Sequence, residues 1–251
     1  MAQERVKDLT SVPPLPRTAM VFAAGLGTRM RPLSDTIPKP LVQVAGKALI
    51  DHCLDLFAEA GVETAVVNVH YRADQLEAHL RGRTAPRIVI SDERALLLDQ
   101  GGGIRKALPS LGPDPFFLCN TDAFWIEGAA SNLHRLAEAW DASKMDALLL
   151  VAAAAESVGV DWQGDFDMDP DGRLTRRDER AIAPFVYSGV GIVKPEPFAA
   201  DTREVFRLAP FLFEAAGKGR LYGLRLDGVW LHVGTPAAIG EAEAAIAQSK
   251  L

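Results

Sequence analysis

Apolar residues recur along this chain with two alternating periods. Residues 18–24 (TAMVFAA) form a short unbroken apolar run, the pattern of a strand buried on both faces, and the run ends in a glycine-rich loop. Leu49, Leu54, Phe57 and Ala58 then recur at helical spacing up to Gly61. Residues 64–69 are β-branched and read as a second buried strand. The unit repeats: the spacing predicts a helix over 73–80, a strand over 87–90, a helix over 104–111, and a strand over 116–119 that runs into Asn120, Thr121 and Asp122. Such alternation predicts an α/β fold, a three-layer sandwich about a mostly parallel sheet with right-handed crossovers.

Alternation weakens in the second half. A helix is expected over 133–140, a strand over 147–153, and a hairpin over 165–174 with DPDG at its centre. A strand follows over 186–193, a helix over 208–216, a strand pair within 221–232, and an Ala-rich helix over 236–248 with proline in its first turn. With neither repeat nor linker, the second half is expected to add strands and a lid to the same sheet. Residues 1–16 are polar and proline-rich and read as a flexible tail, leaving 17–251 as one domain.

Composition narrows the function classes. A chain of 251 residues, 48% hydrophobic and 24% charged, has the balance of a globular protein and not of a disordered or membrane one. Its net charge of −6 argues against a nucleic-acid or anionic-membrane surface and for a small anionic ligand in a local basic pocket. Residues 1–16 lack the apolar core of a secretory signal, and no run reaches the ~18–20 apolar residues of a membrane span. Cys53 and Cys119 lie far apart in sequence, so neither a disulfide framework nor a paired-cysteine zinc site is expected. A reducing, cytoplasmic setting follows as the expectation.

The loop after the first strand carries the candidate chemistry. It reads Ala23-Ala24-Gly25-Leu26-Gly27-Thr28-Arg29-Met30-Arg31-Pro32-Leu33-Ser34, then Pro38-Lys39-Pro40. Glycines at 25 and 27 let backbone amides approach a phosphate chain, and Arg29, Arg31 and Lys39 add cations. A dinucleotide-binding loop wants a third glycine and an uninterrupted helix, which Pro32, Pro38 and Pro40 forbid. A loop that wraps a nucleoside triphosphate fits better.

From Gly25 to Pro40 the chain resembles the G-x-G-T-R-[ML]-x-P-L-[TS]…P-K-P signature of the sugar-1-phosphate nucleotidyltransferases. Similarity continues through Gly101-Gly102-Gly103, Asn120-Thr121-Asp122, Gly164-Asp165-Phe166, Ser188-Gly189, the segment 207–210 and the segment 230–235. The spacing most resembles the N-acetylmuramate 1-phosphate uridylyltransferases of cell-wall recycling, with mannose-1-phosphate guanylyltransferases second. This resemblance implies a Rossmann-like, GT-A-like sheet, an NTP and a sugar 1-phosphate as small-molecule substrates, and Mg2+, with Mn2+ as the alternative. It further implies a nucleotide-binding half over 17–125 and a sugar-phosphate half over 126–251. No hexapeptide-repeat acyltransferase arm is expected after Thr235, and a monomer or small homo-oligomer is.

By resemblance, Ala23, Gly25, Gly27, Thr28 and Arg29 wrap the triphosphate, Lys39 contacts phosphate, and Gly101 and Gly102, expected in a turn before a helix, meet the base. Asn68, at a strand end, is a candidate for holding the nucleoside, and an edge Asn is equally a turn former. Asp122 emerges from a buried strand where parallel sheets bind ligands and is the first candidate for a metal ligand, although a strand-end Asp also caps helices. The family's second carboxylate is replaced here by His232, whose imidazole suits Mn2+ better than Mg2+. That change leaves open a sensor that has kept the fold and lost the chemistry. Asp165, Ser188, Gly189 and Arg207 are the implied sugar-phosphate contacts, with Arg207 pairing a phosphate or a lactyl carboxylate.

Overall fold

The computed structural model describes residues 15–249, and the expected tail lies outside them except for its last two residues. Those two are not tail-like: Leu15 packs against the core and Pro16 is buried.

The first apolar run forms β1 (Thr18–Phe22), with Met20 facing one core layer and Ala19 and Val21 the other. The glycine-rich segment then folds as three single 3-10 turns, Thr28–Met30, Leu33–Asp35 and Lys39–Leu41, because its prolines prevent a continuous helix. A small hairpin, β2 (Gln43–Val44) and β3 (Lys47–Ala48), leads into α1 (Leu49–Ala60), which Gly61 closes at φ 90°. Next come β4 (Thr64–Val69), α2 (Ala73–Leu80), β5 (Arg87–Asp92), α3 (Asp99–Leu111) and β6 (Phe116–Asn120). The chain continues through β7 (Ala123–Glu127), α4 (Asn132–Ala139), β8 (Ala147–Ala153), β9 (Phe166–Met168), β10 (Leu174–Arg176) and β11 (Phe185–Val193). It closes with α5 (Glu196–Ala200), α6 (Ala209–Gly217), β12 (Leu221–Arg225), β13 (Gly228–His232) and α7 (Pro236–Gln248).

The main sheet runs β10-β9-β11-β6-β1-β4-β5, with β8 on β11 and β12 on β8. Strands β6, β1, β4 and β5 are mutually parallel, as expected, and β11 inserts antiparallel between β6 and β8. One face carries α1, α2 and α4 over Val21, Leu54, Phe57 and Phe117, and the other carries α3, α5 and α6 over Met20, Ile104, Phe116 and Leu212. Each of those large side chains, fully buried, contributes roughly 1.5–3 kcal/mol. A third cluster, including Met30, Phe124, Leu231 and Val233, seats the base of the glycine-rich loop on a separate two-stranded sheet of β7 and β13. No described helix is long and apolar enough to cross a membrane.

Two expectations are corrected. The strand pair within 221–232 is no hairpin: β12 joins β8 in parallel, and β13 joins β7. Between them Leu226 is buried and donates its amide to Val151, while the Asp227 carboxylate accepts from the Ala129 amide, so the chain is drawn away from a tight turn. The helix expected over 104–111 begins at Asp99 and absorbs the three glycines.

Candidate active site at the carboxyl edge of the sheet

The carboxyl ends of β1, β4, β5 and β6 open on a cleft of about 600 Å3. Open parallel sheets bind ligands at this edge. The glycine-rich loop forms one wall. Among the described residues the amides of Gly25, Leu26 and Gly27 have no intramolecular acceptor, so they are free to donate to an anion. The two glycines have different physical reasons. Gly27 sits at φ 63° with Lys39 Cβ only 2.9 Å from where its own Cβ would be, so the fold itself demands it. A Cβ on Gly25 would meet nothing within 4 Å, and its absence keeps the cleft wall bare for a ligand.

Lys39 and Asp122 meet across the cleft floor, Nζ to Oδ2 at 2.8 Å, with only 12% and 24% of their side chains exposed. Since β7 and not a helix follows Asp122, it is no helix cap. Burial pushes its carboxyl up, but His232 and Lys39 more than offset this and hold it well below the usual carboxylate range. Arg29 reaches the same place, whereas Arg31 pairs with Asp35 at the surface.

His232 ends β13 beside Asp122. Its Nδ1 donates to the Gly159 carbonyl at 3.2 Å, and its Nε2 faces Asp122 Oδ2 at 3.8 Å. Trp230 stacks on the ring at 12°, and Trp162 meets its edge. A Cβ on Gly234 would lie 2.7 Å from His232 Cε1 and 3.2 Å from an Arg29 Nη, so this glycine gives both side chains their room. Among the described residues no group of three or more His, Cys, Asp or Glu is arranged to hold a metal. A two-ligand site of Asp122 and His232 still fits a divalent cation that takes its other ligands from phosphate and water. A histidine whose second nitrogen is tied to a carbonyl is also the usual state of a metal-ligating imidazole.

Arg29, Asn120 and Asp122 also line a second cleft, of about 300 Å3, walled by Trp162, Tyr187, Ser188, Gly189, Trp230 and His232. The walls come from a register shift in β11 against β8 between Tyr187 and Gly191. There Gly189 takes φ 86°, and a Cβ would lie 2.9 Å from Asn120 Cβ. Ser188 is fully buried, and its carbonyl accepts from Trp230 Nε1 at 3.0 Å.

The remaining site expectations land differently. Asp165 lies behind this cleft: its carboxylate accepts from Trp162 Nε1 at 3.2 Å and from the Tyr187 amide at 2.9 Å, which supports the cleft wall. Arg207 is 78% exposed on its side chain, lines neither cleft, and stands 3.7 Å from Asp99 at the rim of the first one. Asn68 is buried, and its Oδ1 accepts from the Ala23 and Ala24 amides at 2.7 and 3.2 Å, so those two amides are already occupied. Gly101 and Gly102 are buried inside α3, not in a turn before it, and do not line the cleft. They face the 204–206 segment, where a Cβ would collide with the Phe206 ring or the Glu204 carbonyl oxygen, and Gly102 N donates to Phe206 O at 3.1 Å. Gly102→Ala is therefore expected to destabilise the protein by about 1–3 kcal/mol, read as a lower melting temperature.

Sequence reasoning missed Glu93, Gln100 and Tyr187. Glu93 and Gln100 line the first cleft, where Gln100 Nε2 donates to Asn120 Oδ1 at 2.9 Å. A signal for Glu93 existed: it directly follows β5 at the same sheet edge that singled out Asn68 and Asp122. Cys53 and Cys119, distant in sequence, come together, and both thiols donate to the Asn120 carbonyl. Cys53 as a hydrogen-bonding neighbour, and then burial, push the Cys119 thiol well up, the opposite of a nucleophile.

The model of the MobA-like NTP transferase domain matches residues 19–224. The chain is 51% identical to the N-acetylmuramate alpha-1-phosphate uridylyltransferase of Caulobacter vibrioides, covering 93% of this chain and 98% of that one. It is 38% identical to the protein of the same name from Neisseria meningitidis serogroup B, covering 90% and 96%. In fold it matches the inositol-1-phosphate CTP transferase of T. maritima with a TM-score of 0.74 at 19% identity, over 93% of this chain and 97% of that one. The signature from Gly25 to Pro40, the sheet-edge cleft and these matches agree: the chain belongs to the MobA-like NTP transferase domain family and is a nucleotidyltransferase.

Proposed function

We propose that this protein transfers the uridylyl group of UTP to N-acetylmuramate 1-phosphate, giving the UDP-sugar and pyrophosphate, as a cytoplasmic step of peptidoglycan recycling. The observation that carries the reading is the sharing of Arg29, Asn120 and Asp122 by two clefts. A donor in the larger and an acceptor in the smaller would meet at these three side chains. The names of the two relatives support the choice of base and sugar.

The free amides of residues 25–27 hold the triphosphate, with Arg29 beside the bridge to be broken. An acceptor phosphate oxygen, already anionic at neutral pH, forms the new bond to the α-phosphorus while the bond to the bridging oxygen breaks and pyrophosphate leaves with the electron pair. No general base is required, so stabilisation of charge supplies most of the acceleration. Lys39 and Arg29 provide it from the protein, and Trp162 and Trp230 wall the acceptor side against water. Asp122 and His232 would hold Mg2+ or Mn2+, which neutralises phosphate charge and aligns the two substrates when bound.

Pyrophosphate release measured for UTP, GTP, CTP, ATP and dTTP, each with N-acetylmuramate, N-acetylglucosamine, mannose and glucose 1-phosphates and with Mg2+ or Mn2+, tests this. Turnover is expected with UTP and N-acetylmuramate 1-phosphate, and only with divalent cation. Preference for GTP with mannose 1-phosphate, or silence with every pair, would overturn it.

A further inference from the structure

Glu93 is a carboxylate at 0% exposure with no cation as its partner among the described residues. Burying an unpaired charge is costly, so its hydrogen bonds must be specific ones. Oε1 accepts from Asn68 Nδ2 at 2.8 Å, and Oε2 accepts from the Leu98 amide at 3.1 Å. Its backbone is anchored as well, by its own amide to Val69 O and by His70 Nδ1 to its carbonyl.

The bond to Asn68 removes an ambiguity. An amide side chain can present either end, but only its oxygen can accept from Ala23 N and Ala24 N. A carboxylate at the other end accepts only from the NH2, so Glu93 locks Asn68 with its oxygen on the glycine-rich loop. Leu98 N leads into Asp99 and Gln100 on the opposite wall of the cleft. A third feature is built around the same bond: a Cβ on Gly103 would lie 2.9 Å from Glu93 Oε1 and 3.2 Å from Asn68 Nδ2. A glycine there weakens α3 by about 1 kcal/mol relative to alanine, yet leaves the bond its space.

We infer that Glu93 is a positioning residue for the nucleotide. Through Asn68 it sets the direction of the Gly25–Gly27 amides, and through Leu98 it ties the facing wall to the same carboxylate. This rests on the reading that the larger cleft takes the NTP. Glu93→Gln places an NH2 against either the Asn68 NH2 or the Leu98 N–H, so one donor must lose its acceptor. Asn68→Asp sets two carboxylates against each other. The double variant Asn68→Asp with Glu93→Gln restores every bond in mirror order: the carboxylate introduced at position 68 accepts from the Ala23 and Ala24 amides and from the glutamine NH2, whose carbonyl accepts from Leu98 N.

The test is UTP binding by calorimetry together with steady-state kinetics on the full chain, with melting temperature recorded for each variant. Each single variant is expected to raise Kd and KM for UTP by about ten-fold or more with a smaller change in kcat. The double variant is expected to recover most of that loss. Wild-type affinity in Glu93→Gln, or a double variant no better than the worse single one, would overturn the inference. A wild-type protein that binds no NTP would instead overturn the proposed function on which the inference rests.

Discussion

Asp122→Asn is expected to lower kcat by about 10²–10³-fold, the scale seen when one charge-stabilising group is removed from a preorganised site. Asparagine keeps the shape and removes the charge, so Lys39, 2.8 Å away and 12% exposed on its side chain, loses its counter-ion at the same time as the site loses the carboxylate proposed to hold the cation. Initial rates of pyrophosphate release at saturating substrates measure the loss, and a variant within two- or three-fold of wild type, an about 0.5 kcal/mol effect, would remove Asp122 from the chemistry. The pH dependence follows from the sign of its shift. Burial is outweighed by His232 and Lys39, which depress the folded-state value, so the ionised carboxylate contributes stability at all pH above the unfolded carboxyl range and loses it only as pH falls through the depressed value. The melting-temperature gap between wild type and variant should therefore persist above about pH 5 and narrow only as pH falls below it.

Arg29→Ala should cost about 10²-fold in kcat/KM. Arg29 lines both clefts, and among the described residues no carboxylate lies within ion-pair distance of it, so its charge is uncommitted until phosphate arrives. The loss should fall on KM for the NTP and on kcat together, because a guanidinium beside the breaking bridge holds the ground-state triphosphate and the leaving pyrophosphate alike. Arg29→Lys should recover only part of the loss, since a point charge replaces a planar fork. An alanine variant with unchanged kinetics would return Arg29 to the surface cations, where Arg31 belongs through its pair with Asp35.

Legibility follows the range of the forces involved. The βαβ units are readable in local periodicity, because a strand buried on both faces and a helix with one apolar stripe each announce themselves within a few residues. The loop's suitability for phosphate is readable from the chemistry of Gly25, Gly27, Arg29 and Lys39. Gly101–Gly103 mislead, since glycine is a poor helix former and the run reads as a turn. The packing of residues 204–206, about a hundred positions away, requires small residues in a helix there. Asp165 and Arg207 are implied sugar-phosphate contacts by resemblance alone, since residue type carries no information on partners; the structure adds that Asp165 is held by Trp162 and Tyr187 and that Arg207 stands beside Asp99.

By itself the sequence determined the α/β class and the parallel core strands, and it marked the first loop as one whose residues suit phosphate, all properties of contiguous segments. Only the tertiary structure decided that β12 and β13 part to different sheets, that Asp122, Lys39 and His232 converge, and that Glu93 secures both walls of the cleft. Those arrangements join elements distant in sequence, and their partners are chosen by which surfaces must be buried and which buried polar groups must be satisfied, conditions that exist only once the sheet has formed.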